Sequence, residues 1–213
     1  MRITVAYDNE VIQKGLRADW GFSCLIVGEG MPRILFDTGA SGQTLLHNMK
    51  QLGLDPQSIE AIFISHSHMD HTGGLPYILE LARDAVLYVP ASFSLNIPGR
   101  KVITVSESVR VCDQACSTGE LEGIEQSLLL ENGTGITVVT GCSHPGVGRI
   151  IDAASRYGRV NGIIGGFHGF RDFGRLEGLS LICPCHCTMY KTEIKRLFPE
   201  QSTGCGAGLV LDI

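Results

Sequence analysis

One segment constrains this chain more than any other: His66-Ser67-His68-Met69-Asp70-His71-Thr72-Gly73-Gly74, set directly after the apolar, β-branched run Ala61–Ile64. In an extended segment, side chains two apart point the same way, so His66 and His68 can grip one ion together. The chain must then turn, and Thr72-Gly73-Gly74 gives it the freedom to do so. Beyond that turn, Asp70 and His71 can both face a second ion. Imidazole and carboxylate are ligand types that suit zinc, iron or manganese. Four ligands do not complete two ions, so a fold that carries this segment must bring further groups to it from elsewhere.

Short apolar, β-branched segments recur between turn signals: Ile3–Ala6, Phe22–Val27, Ile34–Phe36, Ala61–Ile64, Val86–Val89, Val102–Val105, Val109–Cys112, Ile136–Thr140, Val160–Ile164, Leu179–Cys183 and Gly208–Leu211. They read as strands, and several are too continuously apolar for a sheet covered on one side only. Helical patterning falls at Gly42–Leu52, Leu75–Ala82, Val147–Tyr157 and Met189–Phe198; in the third, Val147, Ile150, Ile151 and Ala154 share a face. The expectation is an α/β (α+β) domain in which two sheets pack together with helices outside. No repeat or linker interrupts the chain, so residues 1–213 are expected to form a single domain.

Three further histidines follow expected strands in the same way. His144 lies in Gly141-Cys142-Ser143-His144-Pro145-Gly146 after Ile136–Thr140, His168 in Gly165-Gly166-Phe167-His168 after Val160–Ile164, and His186 in Pro184-Cys185-His186-Cys187-Thr188 after Leu179–Cys183. The C-terminal ends of strands are where α/β layers gather functional groups. His47, inside an expected helix, reads as a surface residue.

The formal charge of −5 offers no basic footprint for nucleic acid. The N-terminus lacks the apolar run of an export signal, and no stretch approaches a membrane span, so a cytoplasmic location is expected. The eight cysteines then read as thiols, and without a Cys-x-x-Cys pair a zinc ribbon is not expected. Cys183, Cys185 and Cys187 alternate with other residues, so on an extended strand their sulfurs would face together; packing of the strand end is favoured over a soft-metal or redox role.

The His66-x-His68-x-Asp70-His71 run and Phe36-Asp37-Thr38-Gly39 resemble the signatures of the metallo-β-lactamase superfamily. Over nearly the whole chain the sequence is similar to a narrower branch, which includes the archaeal dihydropterin–ribofuranosylaminobenzene phosphate synthases. The shared features are Gly21-Phe22-Ser23, Leu35-Phe36-Asp37-Thr38-Gly39, Thr118-Gly119-Glu120-Leu121, Glu125-Gln126-Ser127-Leu128, Gly141–Gly146, Gly165–His168 and Pro184–Thr188.

The resemblance implies a four-layer αββα sandwich holding two divalent metal ions, with zinc first and iron or manganese as alternatives. It puts His66, His68 and His144 on the first ion and Asp70, His71 and His186 on the second, with Asp37 holding a ligand or loop in place. One departure stands out: where many hydrolases of the superfamily carry a bridging Asp, this chain has His168. The second ion is therefore expected to bind more weakly. His168 is expected to act as a general acid or a donor to a substrate phosphate rather than as a ligand.

The implied reaction is hydrolysis of an ester, lactone, amide or phosphodiester by a metal-held hydroxide oriented by Asp70, with His168 near the leaving group. The partner is then a small-molecule substrate, phosphorylated or not. A second reading transfers a dihydropterin group with loss of diphosphate, which the Gly146–Gly148 loop before a helix could bind. Against it, the stretch from Val89 to Thr118 is short for a lid over a large pterin. A third reading is a non-catalytic, metal-bearing ligand-binding protein.

Overall fold

The structure is a computed structural model that describes residues 1–213. In the first half the elements are β1 (Arg2–Tyr7), β2 (Ser23–Val27), β3 (Ile34–Phe36), α1 (Gly42–Gln51), β4 (Ala61–Phe63), α2 (Met69–Thr72), α3 (Leu75–Leu81), β5 (Val86–Pro90) and β6 (Val102–Val105). The second half adds β7 (Arg110–Cys112), β8 (Ala115–Ser117), β9 (Leu128–Glu131), β10 (Ile136–Thr140), α4 (Val147–Ala154), β11 (Val160–Gly166), β12 (Leu181–Cys185), α5 (Lys191–Leu197) and β13 (Val210–Asp212). The first sheet runs β13-β1-β2-β3-β4-β5-β6 and the second β12-β11-β10-β9-β8-β7.

The double-sided apolar character of the strands has a direct structural cause. Side chains alternate across each strand, and both faces are covered. Cys24, Ile26, Ile34, Phe36 and Phe63 of the first sheet pack with Leu128, Leu130, Val139, Ile164 and Cys183 of the second in one core between the sheets. Their strand neighbours Leu25, Leu35, Ile62 and Leu87 point the other way, onto Leu45 and Met49 of α1 and Leu75 and Ile78 of α3. On the far side, Leu129, Val138, Ile163 and Ile182 meet Val147, Ile150, Ile151 and Ala154 of α4 and Ile194 of α5. Three apolar interfaces separate four layers, which gives the expected αββα sandwich.

The strand and helix expectations agree with this architecture to within a few residues. Two short strands, β8 and β9, escaped the sequence reading, the second because its Leu128-Leu129-Leu130 run carries no β-branched residue. The chain from Val89 to Thr118 is spent on the end of β5 and on β6, β7 and β8, which carry it from the edge of one sheet to the edge of the other.

Connectivity places the site. Strands β3, β4, β5 and β6 are mutually parallel, as are β10, β11 and β12. The loops that follow β3, β4, β10, β11 and β12 gather at one end of the sandwich, joined by the loop after β1. Non-glycine residues in the left-handed region cluster in these loops: Asp37 after β3, Ser143 after β10, His168 after β11 and His186 after β12, with φ between 45° and 57°. Such conformations cost about 1–3 kcal/mol each and persist where the surroundings dictate them.

Candidate metal centre

Six of the seven histidines, together with Asp70, meet at this end of the molecule. His66 and His68 follow β4, with ring centroids 4.6 Å apart, and His144 stands 4.8 Å from each. The imidazole Nε2 atoms of His66 and His144 are buried without any hydrogen-bond partner. A buried, unpaired polar atom is costly, and these two lie on converging rings, as a shared ion would require. His71 and His186 form a second group with Asp70: the Asp70 carboxylate lies 3.1 Å from Nε2 of His186 and 3.8 Å from Nε2 of His71. The rings of His66 and His71, 4.2 Å apart, join the two groups.

The turn that makes this possible differs from the sequence expectation. Met69–Thr72 is one turn of helix, α2, so Asp70 and His71 project from it directly. Gly73 and Gly74 do not supply unusual backbone freedom. A Cβ at Gly73 would lie 2.1 Å from the Ala40 carbonyl oxygen, and one at Gly74 would lie 2.3 Å from that of Thr38. Glycine is needed there for close approach, which seats the motif against the loop after β3.

The tautomers follow from the partners. Ser65 donates its hydroxyl to Oδ2 of Asp37 at 2.7 Å, so its oxygen accepts from Nδ1 of His66 at 2.9 Å. His71 gives its Nδ1 proton to the same Asp37 oxygen at 2.7 Å, while Oδ1 of Asp37 accepts from the Ser65 amide at 2.7 Å. His186 donates Nδ1–H to Oδ1 of Asn9 at 2.9 Å, and its amide is held by Asp8 at 2.9 Å. These bonds draw a proton to Nδ1 in all three rings and turn Nε2 towards the site, where Nε2 of His71 meets the Cys142 sulfur at 3.2 Å and Nε2 of His186 the Asp70 carboxylate at 3.1 Å. Asp37 thus occupies the supporting position expected of it.

Charge reinforces this arrangement. Burial and the neighbouring imidazoles hold His66 well below the usual histidine range, and burial lowers His144 and His186 as well. For His71, burial works downward, yet the Asp37 and Asp70 carboxylates outweigh it and raise the pKa. Asp70 also feels burial, but the contacts with His186 and His71 keep it below the usual carboxylate range.

His168 lies beside His144, ring centroids 5.3 Å apart; it is exposed, as is His68, and neither has a ring nitrogen within 4.8 Å of all the converging atoms of either group. Together with Gly146, Val147 and Phe167 these two histidines line a cavity of about 270 Å³. His47 is remote, bonded to the Gly15 carbonyl on α1.

Sequence reasoning missed several contributors. Glu125 is fully buried and accepts from the amides of Gly141, Cys142, Ser143 and His144 and from the Thr140 hydroxyl, at 2.9–3.1 Å. It shapes the loop that carries His144. Only its place in the shared Glu125–Leu128 stretch was visible. Ser65, Asp8 and Asn9 gave no signal at all.

The three alternating cysteines also separate. Cys183 and Cys185 turn into the core between the sheets, where their sulfurs and that of Cys205 lie within 4.8 Å of one another. The left-handed turn at His186 swings Cys187 out of that row and next to Cys142. Hydrogen bonding to Cys187 and burial push the Cys142 thiol up.

Comparison with known proteins agrees with this geometry. The family model described as the metallo-beta-lactamase superfamily matches residues 20–187. The chain belongs to that superfamily. A 7,8-dihydropterin-6-methyl-4-(beta-D-ribofuranosyl)-aminobenzene-5'-phosphate synthase of Methanocaldococcus jannaschii is 28% identical, the match covering 93% of this chain and 90% of the synthase. That alignment runs over 267 positions, more than the 213 residues present here, so the synthase carries segments this chain lacks. An uncharacterised protein of the same organism is 25% identical over 91% of this chain and 93% of its own length. Among solved structures, Tm1679, described as a metal-dependent hydrolase of the beta-lactamase superfamily, superposes with a TM-score of 0.78 at 26% identity, covering 100% of this chain and 99% of its own. The metallo-beta-lactamase fold protein YhfI of Bacillus subtilis shares the fold with a TM-score of 0.70.

Proposed function

We propose that this protein is a metal-dependent hydrolase with two divalent ions, held by His66, His68 and His144 and by Asp70, His71 and His186. The observation that carries the reading is the pair of buried, unpartnered Nε2 atoms on His66 and His144, beside rings whose Nδ1 protons are drawn away by Ser65, Asp37 and Asn9. Zinc suits this set of five imidazoles and one carboxylate, and iron or manganese also accept it. Ions bound there would lower the pKa of a water and counter the charge that builds on the substrate.

The chain's own residues then have separable tasks. Asp70 reaches towards His71 and His186 and is partly exposed, so it can orient a nucleophile as well as serve as a ligand. His168, exposed beside His144 and lining the adjoining cavity, would donate a proton to a leaving group there. Trp20, Met69 and Met189 are exposed beside these residues: the Trp20 ring packs edge-on against His186, Met69 separates His68 from Asp70, and the Met189 amide donates to the His168 carbonyl. These side chains favour a small substrate with an apolar or planar part.

Incubation of metal-loaded protein with ester, lactone, thioester and phosphodiester panels tests the reading. Turnover lost on His168→Ala with metal content intact is the expected result. The similarity to the synthase over nearly the full length of both chains favours a second reading, dihydropterin transfer with release of diphosphate. Silence towards every hydrolytic substrate, alongside diphosphate release from a dihydropterin diphosphate, would replace the first reading by the second.

A further inference from the structure

We propose that the thiolate of Cys142 is an anionic ligand shared by the two ions, standing in for the bridging carboxylate that many hydrolases of the superfamily carry. The inference rests on the two-ion reading above and adds to it a residue that none of the expected ligand sets contains.

Position is the first argument. The Cys142 sulfur lies within 4.8 Å of the ligand atoms of Asp70, His71 and His186, and also within 4.8 Å of those of His66 and His144. It stands 3.2 Å from Nε2 of His71. Nitrogen and sulfur donors on one tetrahedral zinc lie roughly 3.6 Å apart, given metal distances of about 2.0–2.1 and 2.3 Å. The sulfur is therefore already at co-ligand distance from the second group while facing the first.

Space is the second. At the end of β11 the chain carries Gly166, where a Cβ would lie 2.6 Å from the Cys187 sulfur and 3.2 Å from Cys142 Cα. A side chain at that position is blocked, since the Gly141 carbonyl oxygen would also lie 2.6 Å away, and His168, two residues on, is exposed and outside both groups. The room between the two sets is instead occupied from the β10 side, by a loop that Glu125 grips through the Cys142 amide and its neighbours.

Charge is the third. Five neutral imidazoles and one carboxylate set a single negative charge against two dications. On binding, the Cys142 S–H bond breaks and its proton passes to solvent. The sulfur electron pairs make bonds to the ions, and nothing is oxidised or reduced. The thiolate restores the anion that the absent carboxylate would have supplied. A buried cysteine is more often simple packing, but packing cysteines sit among apolar groups, as Cys24 does in the core between the sheets. Cys142 faces imidazoles.

The test loads reduced, metal-depleted protein with two equivalents of cobalt(II). A sulfur-to-cobalt charge-transfer band in the near ultraviolet is expected, unchanged in Cys187→Ser and absent in Cys142→Ser and Cys142→Asp. The Asp variant, which restores an anion, should still bind two ions, whereas the Ser variant should bind the second at least tenfold more weakly. X-ray absorption of the two-zinc form should show one sulfur per ion near 2.3 Å. Two ions bound with no band would overturn the proposal and leave the hydrolase reading standing. So would a band lost only in Cys187→Ser, or half a sulfur per ion, which means a terminal ligand. Failure to bind cobalt at all would sink the two-ion reading and the shared thiolate with it.

Discussion

The two candidate ligand groups differ in what holds them. In the second group, both rings are gripped from behind through side-chain bonds: His71 by Asp37 and His186 by Asn9, with Asp8 fixing the His186 backbone. In the first group only His66 is tied through its ring, by way of Ser65. His144 is placed through its main chain, which Glu125 clasps, and His68 is exposed at the start of α2 without a capping bond. One group is therefore oriented by hydrogen bonds to the rings, the other chiefly by the shape of a loop. The group expected to bind its ion more weakly is thus the one whose two rings are both hydrogen-bonded from behind.

The comparison breaks most severely at Glu125. Glu125→Gln places an amide NH₂ where one carboxylate oxygen now accepts from backbone N–H groups, and it removes charge-assisted bonds worth about 1.5–3 kcal/mol each. A loss of stability of at least about 3 kcal/mol is expected in denaturant unfolding, with the first ion lost before the second. Equal loss of both ions would show that the loop serves the groups alike.

Asp37→Ala should act on both groups, because Asp37 holds Ser65 as well as His71. The expected result is roughly 10–100-fold weaker binding of each ion, with about 1–3 kcal/mol lost through the orphaned Ser65 amide. Competition with a chelator measures the first, thermal unfolding the second. His68→Ala should separate the groups cleanly. Its ring is exposed, so stability should stay within about 0.5 kcal/mol while the first ion is released. Unchanged metal content would remove His68 from the ligand set.

The smallest effect concerns pH. In the metal-free protein the raised pKa of His71 keeps its proton on above the ordinary histidine value of about 6.5. An ion must displace that proton, so affinity for the second ion should fall as pH drops through this window. His66, lowered by burial, adds no such proton to the first ion. The expected result is a steeper pH dependence for the second ion than for the first, by about tenfold in affinity per pH unit beyond any proton that Cys142 gives up to both, read by metal titration at several pH values. Equal slopes on the two ions would erase the distinction between the groups.

Much of this site was legible because its signals are local. His66, His68, Asp70 and His71 lie within six residues of one another, and His144, His168 and His186 each follow a strand end that periodicity reveals. Asp37 was legible through its motif. Cys142 and Glu125 were not, although both lie in stretches the resemblance singled out. A buried glutamate that accepts four amides looks, in sequence, like any other glutamate. Asp8 and Asn9 reach His186 across nearly the whole chain, a separation that no local pattern encodes.

The amino-acid order by itself determined the layers and the inventory. Alternating and double-sided apolar runs require two covered sheets, and histidines after strands require a site at their ends. The tertiary structure decided how that inventory is used: what the Nδ1 atoms of His66, His71 and His186 meet, that Met69–Thr72 closes as a helix, and that the Cys142 sulfur comes within 4.8 Å of atoms of both groups. The physical reason is one of range. Periodicity and propensity act between neighbours along the chain, whereas tautomer, burial and ligand distance depend on which loops the packed sheets bring together.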